Sequence, residues 1–225
     1  MGMATPGKLR DVVADALGYS GHLQMVDVHL RNLREAGLMS KAKRGRGAAE
    51  IGPADAANLL VAVAGSAYVK DSVSAVQKYG LLEADPKSYT VHGWKKLAAN
   101  FYGSPGLVLS EHTNFSEALS ETLVLISKGR FFPEPSGRLT DRHRREYISI
   151  RLYWPFAAAS IHFGFDRQYE VHQLFGSLPL RDGRTAWNVS TIRAGVLCTL
   201  RVIDHISLLK VAAIFSPNGP SRENN

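Results

Sequence analysis

Lys41, Lys43, Arg44 and Arg46 place four cations within six residues, interleaved with Gly45 and Gly47. Such side chains break no bonds. They neutralise phosphates and release the counterions condensed around a nucleic acid. Directly upstream, residues 23–37 carry Gln24, Arg31, Asn32 and Arg34 between recurring apolar positions. Asn and Gln match the adenine edge bidentately and Arg matches guanine, so this stretch holds the donors and acceptors that read bases beside cations that hold a backbone. Gln24, Arg31, Asn32, Arg34, Lys41, Lys43, Arg44 and Arg46 are therefore the candidate DNA-contacting residues. Asn32 and Arg31 are expected to touch base edges, and the loop cations to touch phosphates or an adjacent minor groove.

Other chemistry is poorly supplied. Gly45-Arg46-Gly47 lacks a third glycine at dinucleotide spacing, and no Gly-Lys-Ser/Thr occurs, so a nucleotide-binding loop is not expected. Among the eight histidines, His162 and His172 lie near Asp166 and Glu170, but their spacing fits no zinc signature. Ser104, Ser110 and Ser127 have no nucleophile-elbow context, and no carboxylate pair suggests acid–base work. We expect no catalytic residue, no metal and no cofactor. Cys198 is the single cysteine and sits in an apolar run, as a buried core thiol would.

The balance of charge agrees with a polyanionic partner: 27 Lys and Arg against 20 Asp and Glu give a formal charge of +7. A second basic cluster, Arg138, Arg142, His143, Arg144 and Arg145, reads equally as a phosphate-binding surface or a solvated turn. With 45% hydrophobic and 9% aromatic residues, 225 residues suffice for one large domain or two small ones. No apolar window is long enough for a bilayer span, and none follows a basic head at the amino terminus. The expectation is a cytoplasmic protein without membrane contact.

The elements that must position these residues follow from periodicity and caps. Thr5-Pro6 predicts a helix start, with Leu9, Val12, Val13, Ala16 and Leu17 on one face and a stop at Gly18. Ser20 caps a second helix whose apolar side is Leu23, Val26, Leu30 and Leu33; Gln24, Asp27, His29, Arg31, Asn32 and Arg34 are then its polar surface, and Gly37 its end. Residues 48–51 read as the return strand of a short hairpin. Pro53 and Asp55 open a third, strongly apolar helix, and a fourth runs from Gly65-Ser66 to Tyr79-Gly80 with Val69, Val73 and Val76 inward.

The composition of residues 83–105 is that of a linker or long loop. Asn114 and Glu117 have capping-box spacing and start a helix that stops at Gly129. Residues 147–154 alternate clearly as a strand, 159–163 as its antiparallel neighbour, and weaker strands lie near 169–172 and 187–189. By length, residues 192–211 read as helix. Tyr153, Trp154, Phe156 and Phe163 suit a sheet core more often than a base-stacking platform. The tail 217–225 has the composition of a disordered segment.

The stretch Leu33-Arg34-Glu35-Ala36-Gly37-Leu38-Met39, continuing through Arg44-Gly45-Arg46-Gly47-Ala48-Ala49 to Pro53-Ala54-Asp55-Ala56-Ala57-Asn58-Leu59-Leu60, resembles winged helix-turn-helix proteins. In these, an L-R-x-A-G-L turn leads from the recognition helix into the wing. The stretch is also similar to uncharacterised proteobacterial and prophage proteins with an R-G-R-G-A-A loop before a P-x-D-A-A-N-L-L helix. The resemblance covers roughly the first third of the chain and implies a DNA-binding module. It departs from the pattern between Leu17 and Leu23, where a second helix is compressed or missing.

The resulting expectation is an α+β protein: a winged-helix-like helical domain over residues 1–82, a linker or long loop over 83–105, and over 106–216 a small antiparallel sheet packed with a carboxy-terminal helix, for dimerisation, effector sensing or partner binding. Its expected role is sequence-specific binding of double-stranded DNA as a homodimeric bacterial or phage transcriptional regulator. A phage structural or DNA-packaging protein is the alternative. Neither reading involves catalysis.

Overall fold

Thr5 starts the first helix as its sequence predicts: its hydroxyl accepts from the Lys8 N–H at 3.3 Å, and Pro6 takes the first helical position. The computed structural model describes residues 4–41, 49–85, 90–92, 114–128, 147–154, 156–165, 169–176 and 199–216. Helix α1 (Pro6–Ala16) buries Leu9, Val13 and Ala14 and is followed by Gly18 at φ +77°. A single 3-10 turn, Ser20–His22, then runs into α2 (Leu23–Glu35). That turn occupies the place of the compressed second helix.

Helix α2 ends on Gly37 at φ +74°, where Leu38 N–H donates to Leu33 O and Gly37 N–H to Arg34 O. These two bonds are the Schellman pattern, which satisfies carbonyls that the helix itself cannot. Helix α3 (Pro53–Gly65) buries residues on every side, from Ala56 and Leu59 to Val61 and Val63. Burial all round marks a central helix, and α3 packs against α2, α4 (Ser72–Gly80), α5 (Phe115–Ser127) and the sheet. Its last residue, Gly65, lies so close to Tyr79 that a Cβ there would stand 3.0 Å from the ring.

The fourth helix is shorter than expected. Val69 belongs to a separate 3-10 turn, Val69–Asp71, and α4 turns Ser72, Ala75, Val76 and Tyr79 inward, with Val73 only half-buried. Asn114 caps α5 as predicted, its side-chain oxygen accepting from Glu117 N–H at 3.0 Å.

Among the described residues, five antiparallel strands form one sheet in the order β1-β4-β3-β2-β5. They are β1 (Thr90–His92), β2 (Tyr147–Trp154), β3 (Ala158–Phe165), β4 (Tyr169–Gly176) and β5 (Thr199–Ile203). The expected β2–β3 pair is present, with Ile150 opposite Ile161. Ile148, Ile150, Leu152, Ile161, Phe163, Phe175 and Ile203 join the helices in one apolar interior. The protein is thus α+β, with helices layered on a sheet face. Of the four aromatics singled out by sequence, Tyr153 and Phe163 are buried and Trp154 is 47% exposed.

Within the stretch 192–211, expected as helix, the described residues 199–203 are strand and only those from His205 onward are helix. Strand β5 adds to the β2 edge with Arg151 opposite Val202, and α6 (His205–Ala213) starts only after Asp204, which accepts from Ser207 N–H at 2.8 Å. An open strand edge offers backbone partners to an apolar run, and an Asp N-cap fixes where the helix begins. Of the segment expected as a linker or long loop, the described residues 83–85 and 90–92 are hydrogen-bonded to the sheet. Gly176 N–H donates to Glu83 O at 2.8 Å, Asp85 N–H to Leu174 O at 2.9 Å, and β1 lies along β4. The apolar interior runs from Ala4 to Phe215 across it, and α1 meets α6 through Ser207 Oγ donating to Ala16 O at 2.7 Å. At that junction the Lys210 ammonium, 2.6 Å from Asp15, holds its carboxyl below the usual range.

The strand expected near 187–189, Cys198, the Arg138–145 cluster and the tail 217–225 lie outside the described residues.

Candidate nucleic-acid interface

Helix α2 owes its orientation to one apolar side, the side read from sequence apart from Leu23 in its first turn and with His29 added. Val26, His29, Leu30 and Leu33 are buried, whereas Leu23 is 38% exposed. Leu23, in the first turn of α2, is exposed like Gln24.

Gln24, Val28, Arg31, Arg34 and Glu35 are all exposed, and at 100° per residue they share the outer face of α2. The structure therefore places Gln24, Arg31 and Arg34 on one exposed side of α2, spread along its length. Beside them an open groove of about 380 Å3 is lined by Arg10, Leu23, Gln24, Asp27, Val28 and Arg31. Asp27 sits within it, 3.7 Å from Arg31 and 3.9 Å from Arg10, while Arg10 also meets Asp11 at 2.7 Å. One carboxylate thus stands between Arg31 of the outer face and Arg10 of α1. Arg34 stands in the last turn, where a cation also suits the helix dipole.

Asn32 is not on that face. Its side-chain amide is half-buried and donates to Val69 O at 2.9 Å, with Ser72 Oγ at 3.4 Å. The expectation that it reads a base edge is corrected by this geometry, because its N–H donors are directed into the junction between α2 and the turn before α4. His29 is corrected in the same way: it is 3% exposed, and its Nδ1 lies 2.8 Å from Ser72 Oγ. Ser72 Oγ donates to Val69 O, so the hydroxyl is left to accept from His29 and Asn32. Burial pushes the His29 pKa down. Sequence periodicity missed this polar node because its partners lie some forty residues apart.

The basic loop begins from a fixed base. Ser40 N–H donates to Asp55 Oδ1 at 2.7 Å, Gly52 N–H donates to Asp55 Oδ2 at 2.9 Å, and Asn58 Nδ2 donates to Leu38 O at 2.8 Å. Asp55 is 5% exposed in the first turn of α3. Its carboxylate holds both stems of the loop at once. Lys41 is exposed just beyond the first stem, and Lys43, Arg44 and Arg46 lie outside the described residues. On the return side, Ile51 forms an antiparallel bridge with Ala4, its N–H donating to Ala4 O at 3.0 Å; residues 42–48, which the rest of the hairpin expected around residues 48–51 needs, lie outside the described residues.

In the sheet, His162 and His172 stand opposite each other on β3 and β4, with ring centroids 5.6 Å apart and planes near perpendicular. Asp166 lies outside the described residues. No protein-family model, curated protein or solved structure matches this chain.

Proposed function

We propose that the chain binds double-stranded DNA in a sequence-specific manner, with α2 entering the major groove. The observation that carries this reading is the placement of Gln24, Arg31 and Arg34 on one exposed face of α2; the chain after α2 is held at Ser40 by the Asp55 carboxylate, which also takes the Gly52 N–H, and the sequence between these two residues carries Lys41, Lys43, Arg44 and Arg46. A groove-reading helix needs base-competent side chains on a rigid support and phosphate-binding cations beside it. The net charge of +7 favours the same partner.

On this reading the protein acts in the cytoplasm as a homodimeric transcriptional regulator of bacterial or phage origin, since paired half-sites suit a two-fold dimer. Among the described residues no helix is long and apolar enough to cross a membrane. Selection of bound fragments from random duplex DNA tests the proposal directly. A shared motif with a footprint of defined length is the expected result. Recovery of fragments without any motif would favour the DNA-packaging role, and no recovery at low salt would overturn DNA binding altogether.

A further inference from the structure

We propose that the turn carrying Tyr68 and Lys70 is a second wall of this interface, in which the Lys70 ammonium and the Tyr68 hydroxyl meet the sugar-phosphate backbone alongside α2. The inference rests on the DNA-binding reading of α2 and adds residues that the sequence did not single out.

Asn32 lies one residue, or about 100°, round the helix from Arg31, and its amide grips Val69 O at 2.9 Å. Ser72 Oγ donates to the same carbonyl and also meets His29 of α2. The backbone between Tyr68 and Ser72 is thereby fastened to one flank of α2, while α1 with Arg10 occupies the other. The outer face carrying Gln24 and Arg31 runs between them. A helix seated in a major groove about 12 Å wide lies between two phosphate backbones, so contacts on both flanks fix its depth and tilt.

The chemistry of the turn suits that position. Tyr68 is 67% exposed, Lys70 is exposed, and only Val69 between them turns inward. Lys70 Nζ stands 5.5 Å from the Tyr68 ring centroid, which keeps ammonium and phenol on the same side of the turn. The pair presents N–H and O–H donors, the groups that phosphate oxygens take. Among the described residues Lys70 forms no ion pair, whereas Arg10 on the opposite flank is engaged by Asp11 and Asp27. The nearest acid in sequence, Asp71, is half-buried at the start of α4, where the helix dipole accommodates it. Lys70 is thus the cation on this flank that is free to meet a phosphate.

Fluorescence anisotropy of labelled duplex DNA against salt concentration tests the assignment, using Lys70→Ala, Tyr68→Phe, Arg31→Ala and, as a control on α5, Lys128→Ala. Lys70→Ala is expected to flatten the log–log salt slope by about 0.9, with equal weakening on selected and random duplexes. Tyr68→Phe is expected to weaken both three- to tenfold, as loss of one hydrogen bond does, and Lys128→Ala to leave binding unchanged. If Lys70→Ala and Tyr68→Phe bind like wild type while Arg31→Ala loses affinity, this wall is overturned and the α2 reading stands. If wild type binds no duplex at low salt, both fall. Unfolding midpoints equal to wild type exclude a folding defect in these exposed variants.

Discussion

Asp55 accepts a hydrogen bond from the backbone N–H of Ser40 at 2.7 Å, across fifteen residues of chain, and its second oxygen takes the Gly52 N–H at 2.9 Å. A nearly buried carboxylate is costly to desolvate, and these charge-assisted bonds offset that cost. Asp55→Ala would leave two backbone donors without their acceptor and is expected to destabilise the fold by about 3 kcal/mol. Urea denaturation checks this, and a destabilisation below about 0.5 kcal/mol would mean the clip contributes nothing.

The loop cations should act through charge alone. Replacing Lys41, Lys43, Arg44 and Arg46 together by Ala is expected to reduce the salt slope of DNA binding by about 0.9 for each phosphate that is no longer neutralised. An unchanged slope in a variant with native circular dichroism would remove the loop from the interface.

Arg31 and Asn32, adjacent in sequence, should give opposite phenotypes. Arg31→Ala is expected to cost about 1–3 kcal/mol against the selected site and far less against random DNA, because a base contact discriminates and a phosphate contact does not. Asn32→Ala is expected to cost about 1 kcal/mol of stability through the loss of its own hydrogen bond to Val69 O, a carbonyl that keeps the Ser72 hydroxyl as a donor. Comparison of affinity and unfolding free energy for both variants separates the roles. A drop in specificity in Asn32→Ala without any drop in stability would contradict the position found for its side chain.

Burial lowers the His29 pKa below its ordinary value of 6.5, which gives a definite sign to the dependence of stability on pH. The unfolded chain takes up a proton near 6.5 while the folded chain resists it, so the folded state holds fewer protons in that range. The contribution is complete above pH 6.5 and is lost progressively as the pH falls below it towards the folded value. His29→Asn, which removes the titrating group, is expected to weaken the decline between pH 7 and pH 5 seen in thermal or urea unfolding. Parallel profiles for wild type and variant would exclude His29 as a source of that decline.

Gly65 lies where α3 passes close to Tyr79 and to Leu152 of the sheet. A Cβ there would meet the Tyr79 ring at 3.0 Å and Leu152 Cδ1 at 3.3 Å, so Gly65→Ala is expected to destabilise by about 1–3 kcal/mol despite the better helix propensity of alanine. Stabilisation on substitution would show that the ring yields readily.

What the sequence determined by itself was local. Thr5-Pro6, Asn114 and Gly37 set helix ends because a cap is satisfied within a few residues of the chain. The alternation in β2 was legible because a strand with one face in the interior must repeat every second residue, and the α+β class followed from such patterns. Tertiary structure decided the rest wherever a residue's partner lay far along the chain. Asn32 and His29 looked like surface residues until Val69 and Ser72 arrived beside them, and the run ending in α6 looked helical throughout until β2 offered β5 an edge. Asp55 was legible as a first-turn acid on α3, but its hold on Ser40 was not. Hydrogen-bonding groups accept any partner that folding brings within reach, and periodicity records only which side of an element is apolar.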